Sequence, residues 1–145
     1  METSKFPDTL KLTDFWTAAS VILGFQVTTF LWRVANEVTR NRENKNRDLI
    51  WLPAADMLNL LAMCILVLGV FIAPMLGWMA VQDVPVAFGL ALLLFVGHCF
   101  AIAGHYDMYN RHTYRSMRYF PFQEKIVVGI FLLASILYLS WMVLS

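Results

Sequence analysis

The chain is poor in charge. Asp, Glu, Lys and Arg make up 14% of its 145 residues, against roughly a quarter in soluble globular domains, and that deficit excludes an ordinary water-soluble fold. Eleven basic residues face ten acidic ones, a net charge of +1, so no strong field points to nucleic acid as a partner. Cysteine is equally scarce. Cys64 and Cys99 form no Cys-x-x-Cys pair and fall in apolar stretches, where a thiol acts as a small apolar group rather than a redox centre. There is no Gly-rich phosphate loop, no Gly-x-Ser-x-Gly elbow, no His-Glu-x-x-His zinc motif and no internal repeat. The sequence therefore assigns no catalytic residue, no metal and no cofactor.

What the chain has instead is hydrophobic length. Four stretches, Phe15 to Trp32, Met57 to Gln82, Val84 to Gly104 and Ile126 to Ser145, carry no formal charge apart from uncharged histidine, and about 20 apolar residues suffice to cross a bilayer core. The expected fold is an all-α integral membrane protein, a single four-transmembrane-helix up-down bundle. Its spans are expected at 15–35, 54–81, 84–105 and 124–145, with loops at 36–53 and 106–123. Tryptophan favours the headgroup region, and Trp16, Trp32, Trp51, Trp78 and Trp141 all fall near span ends. Pro53 is placed to begin the second helix, and Asp83 with Pro85 to begin the third after a turn of a few residues. Pro74, inside the second span, should kink it near its distal end.

Orientation follows from the basic residues in the short loops. Arg33, Arg40, Arg42, Lys45 and Arg47 lie between the first two spans, and Arg111, Arg115, Arg118 and Lys125 between the last two. Only Lys5 and Lys11 fall on the opposite side. The expected location is the plasma (inner) membrane, with both loops in the cytoplasm and both termini outside. No cleavable leader is expected, because the first apolar stretch is a full span.

Polar groups at membrane depth are costly and point to function by default. Gln26, Thr29, Arg33, Glu37 and Arg40 recur at spacings of three or four and share one helix face. Gln26 lies about 16 Å into the span at the helical rise, close to the midplane. Asp56 and Asn59 share a face of the second helix, Asp56 being about one turn inside its start, where capping the helix is the simpler explanation. Gln26, Arg33, Asp56, Asn59, His98 and His105 form the candidate polar pocket on the cytoplasmic side. The alternative is a set of ordinary interhelical hydrogen bonds.

His98, His105 and His112, the only histidines, recur every seven residues on the third helix. The rise between neighbours is about 10.5 Å, too far for two of them to hold one metal ion at about 2 Å. Gly97, Ala101 and Gly104 beside them make a small-residue seam for close approach of another helix. Beyond the span, Arg111, Arg115 and Arg118 share a face among several tyrosines, a surface suited to anionic lipid or an acidic protein partner.

These features lead to one expectation and two alternatives. The expectation is a non-catalytic helix-bundle subunit or homo-oligomer that presents a polar and basic cytoplasmic surface to a protein or lipid partner. A small transporter or channel is the first alternative, although Phe15 to Trp32 lacks the deep carboxylate that proton coupling would use. A membrane-embedded enzyme acting on a lipophilic substrate is the second, with Arg33, Asp56, His98, His105 and Arg111 as the residues to test.

Overall fold

A computed structural model describes residues 11–43, 52–106, 108–109 and 121–144, and all regular structure among them is helical. Four helices are long and apolar enough to cross a membrane: α1 (Leu12–Glu43), α2 (Ala54–Met75), α3 (Val84–His105) and α4 (Phe122–Leu144). α1 runs eight residues past the expected span end at 35, because nothing between Val34 and Glu43 is a proline or glycine that would stop it.

Successive helices are antiparallel. Arg33, late in α1, meets Asp56, early in α2, while Trp16 at the other end of α1 bonds to Val70. Gly69 of α2 faces Ala87 of α3, and Gly89 and Gly104 of α3 face Tyr138 and Glu124 of α4. α3 is central. It packs along both α2 and α4, and α1 lies against α2 and α3.

Among the buried positions of α3, Ala91, Leu94, His98, Ala101 and His105 follow spacings of three and four, with Gly97 and Gly104 beside them and Val84 and Pro85 at its start, the seam pattern of closely packed antiparallel helices. The expected small-residue seam is used inside the chain. A Cβ on Gly97 would stand 2.7 Å from the Phe131 ring, and one on Gly104 would stand 2.9 Å from the backbone nitrogen of Glu124. α4, not a partner copy, fills this face.

The second helix differs from expectation. Residues Leu66–Ile72 wind as a π-helix, and α2 then closes at Met75 instead of running to 81. Pro74 explains the first departure: it has no N–H to offer the carbonyl four residues back, that of Val70, and its ring would clash there in a regular α-helix. Trp16 of α1 supplies the missing donor, its indole N–H lying 2.9 Å from the Val70 oxygen. Gly77 explains the second. At φ 71° it takes the left-handed position of a Schellman cap, with Gly77 N–H donating to Pro74 and Trp78 N–H donating to Ala73. The connection to α3 is accordingly Leu76 to Asp83, ending in a 3₁₀ turn at Val81–Asp83. Pro85 lies in the first turn of α3 as expected, while Asp83 makes no side-chain cap.

The distribution of side chains is inverted relative to a soluble bundle. Phe25, Trp32, Ile136 and Leu137 are all about 60% exposed or more, whereas Gln26, Asp56, Asn59 and Glu124 have no exposed surface. Much of the apolar core is small, with Ala19, Ala55, Ala62, Ala91 and Ala101 all buried. Lipid as solvent favours this arrangement, since apolar side chains gain little by turning inward and close packing with interhelical hydrogen bonds holds helices together.

Candidate functional site

The buried polar residues gather at one end of the bundle, built from the second half of α1, the start of α2, the end of α3 and the first turn of α4. All six residues of the expected pocket, Gln26, Arg33, Asp56, Asn59, His98 and His105, are buried there. Arg111, Arg115, Arg118 and His112 lie outside the described residues. The opposite end is apolar, filled by Leu66, Val70, Val84 and Leu94. An open groove of about 580 Å³ between α2, α3 and α4 belongs to that apolar half, lined by Leu61, Leu68, Met79 and Leu139 among others.

From the loop side inward the polar groups form linked sets. Tyr106 donates its hydroxyl to Glu37 Oε1 at 2.9 Å. Next to it, in edge-on ring contact, His105 places Nδ1 2.7 Å from Glu124 Oε2. The other oxygen of Glu124 accepts the backbone N–H of Ala55 at 2.7 Å. That N–H is one of the orphan donors of the first turn of α2, so a carboxylate from α4 caps α2. The expected capping role of Asp56 is thereby filled by Glu124, and Pro53, at the N-cap position, makes no side-chain hydrogen bond.

Asp56 turns instead to α1. Its Oδ2 pairs with Arg33 Nε, and the two side chains are 0% and 4% exposed. An ion pair so removed from water depends on both partners, because removing either leaves the other a buried charge that has lost its opposite. His98 Nδ1 donates to the Ala55 carbonyl at 2.9 Å and lies 3.9 Å from Asp56 Oδ1. Both buried histidines therefore use Nδ1–H to fix the ring. In the neutral form each keeps the Nε2 lone pair for other chemistry.

One turn deeper, Asn59 donates Nδ2–H to the Gln26 backbone carbonyl at 3.2 Å, tying α2 to α1 near mid-depth. The Asn59 Oδ1 atom and both amide atoms of the Gln26 side chain have no hydrogen-bond partner among the described residues, and Asp56 Oδ1 accepts none either. No group of three or more His, Cys, Asp or Glu side chains suited to a metal ion occurs among the described residues. Farther out, Tyr109 returns to the bundle, donating its hydroxyl to the Phe100 carbonyl at 2.7 Å. Partial burial pushes that phenol above its ordinary pKa and keeps it a donor.

Glu124 and Tyr106 are the site residues that sequence reasoning missed. A signal for Glu124 existed: it is the single acidic residue between Arg111 and Lys125. Comparison with protein-family models, curated proteins and solved structures finds no match to this chain.

Proposed function

We propose that the chain is a small multi-pass membrane transporter that admits a polar solute or ion from the cytoplasmic side to mid-depth. In this reading it spans the inner (plasma) membrane with the α1–α2 and α3–α4 connections in the cytoplasm and both termini outside, the orientation that nine of eleven basic residues favour. The observation that carries the reading is the gathering of buried polar groups at one end of the bundle in four linked sets, Tyr106 with Glu37, His105 and His98 joined to Glu124 through the Ala55 backbone, Arg33 with Asp56, and Asn59 with the Gln26 carbonyl. It ends against the apolar half of the same bundle. Ionisable residues so gathered mark solute paths and proton relays in membrane proteins, and a path sealed at one end suits alternating access rather than an open pore.

The experiment is flux into proteoliposomes, with a pH-sensitive dye inside and candidate solutes outside. Wild type should carry protons or solute, and Asp56→Asn and His98→Ala, compared at equal amounts of monodisperse reconstituted protein, should abolish the flux. A reconstituted wild type with no flux above empty vesicles contradicts the reading.

A second reading is the non-catalytic bundle subunit working through a protein or lipid partner. It is favoured by Glu124, both of whose oxygens are engaged in fastening α4 to α2 and α3, as in a purely structural lock. The small-residue seam that also suggested a helical partner is already filled by α4. A stoichiometric protein retained through purification, together with absent flux, would favour this second reading.

A further inference from the structure

We infer that the Gln26–Asn59 amide pair, together with Asp56, binds a small monovalent cation bearing N–H donors, ammonium or a primary alkylammonium. The inference names the solute class for the transport reading and rests on it for the membrane setting.

Gln26, Asn59 and Asp56 have no exposed surface, and buried polar atoms in folded proteins are nearly always paired. With the Arg33 Nε–Asp56 Oδ2 ion pair set aside, three acceptor atoms, Gln26 Oε1, Asn59 Oδ1 and Asp56 Oδ1, lack a hydrogen bond among the described residues, against one donor atom, Gln26 Nε2, with its two N–H bonds. Leaving such atoms unpaired in a low-dielectric interior is costly. The group that completes the set must therefore bring more donors than acceptors. An ammonium centre does so, with three or four N–H bonds and no lone pair.

Placement on α2 sets Asn59 about one turn deeper than Asp56. Asp56 and Asn59 are three residues apart on α2 and share its inward face, and the Asn59 to Gln26 hydrogen bond sets α1 beside them. Charge supports a cation over an anion. The buried charged side chains among the described residues are three carboxylates, Glu37, Asp56 and Glu124, against one guanidinium, Arg33. The resident pairing shows the same preference: Asp56 already holds a nitrogen cation, the guanidinium of Arg33, through one of its two oxygens. The other buried residues of this stretch of α2, Ala55, Leu58 and Ala62, are apolar, so the hydrogen bonds of a guest fall to the two amides and Asp56.

The test is thermal unfolding of the full chain in detergent micelles at matched ionic strength and pH. Ammonium, methylammonium, tetramethylammonium and sodium chlorides are titrated against wild type, Gln26→Met and Asn59→Leu. Gln26→Met removes only unpaired side-chain atoms, whereas Asn59→Leu also gives up the bond to the Gln26 carbonyl, so each variant is compared only after a cooperative unfolding transition shows that it folds. Ammonium and methylammonium should raise the wild-type Tm saturably, by about 3 °C or more, and the rise should be lost in both variants. An equal rise with tetramethylammonium, which has the charge but no N–H, would reduce the effect to nonspecific cation binding and overturn the inference. An equal rise with sodium would overturn the N–H requirement, and no rise with any salt would mean that the amides hold water only. A specific rise without flux in proteoliposomes would sink the transport reading and keep the site, whereas proton flux with no specific rise would do the reverse.

Discussion

The carboxylate of Glu124 holds two other helices at once, taking the Ala55 N–H and the His105 imidazole at 2.7 Å each. Glu124→Ala should leave two buried donors unsatisfied, a loss of about 2–6 kcal/mol when each costs about 1–3. Glu124→Gln keeps one acceptor and should lose less. Denaturant titration in mixed micelles measures both, and equal, near-zero losses would show that the contacts carry no stability.

The Arg33–Asp56 pair makes an opposite kind of forecast. Removing one partner, as in Arg33→Met or Asp56→Leu, should cost about 3–5 kcal/mol by stranding the other charge. The double substitution should be more stable than either single one, because no buried charge is left. Additive losses in the same titration would mean that the two side chains do not depend on each other.

Trp16 and Pro74 should be coupled through the Val70 carbonyl. Trp16→Phe removes the indole donor and should cost about 1 kcal/mol. In a Pro74→Ala background the restored N–H can serve that carbonyl, and the same Trp16→Phe change should cost measurably less. A double-mutant cycle reads the difference, and a cycle that closes at zero would remove the link between them.

Glycine substitutions should separate by surroundings. Gly104→Ala brings a methyl group to 2.9 Å from the Glu124 backbone nitrogen, and backbone cannot move aside as a side chain can. It should cost about 1–3 kcal/mol and weaken the neighbouring His105–Glu124 contact. Gly129→Ala meets nothing within 4 Å and should lie within about 0.5 kcal/mol of wild type. Melting temperatures of the two variants provide the comparison.

The helices were legible from hydrophobic length, and the inward face of α1 from the spacing of Gln26, Arg33 and Glu37, because both are local periodic signals. The partners of those residues were not. The cap of α2 comes from Glu124, 69 positions beyond Ala55, and no local rule reaches that far, so Asp56 was the natural candidate for a role it does not fill. The π-helical stretch was legible only as a disturbance near Pro74; its form depends on Trp16 arriving from another helix. The Gly97, Ala101 and Gly104 seam was legible as a site of close approach, but spacing alone does not distinguish a helix of the same chain from one of another.

The central claim is that polar residues of separate helices face one another inside the bundle while apolar ones face lipid. Disulfide trapping in native membranes tests it most directly, with Cys64→Ser and Cys99→Ser as background. Gln26→Cys with Asn59→Cys should cross-link rapidly, since these residues already touch across α1 and α2, and the outward pair Phe25→Cys with Met57→Cys should not. Cross-linking of the outward pair with none at 26 and 59 would contradict the arrangement and everything built on it.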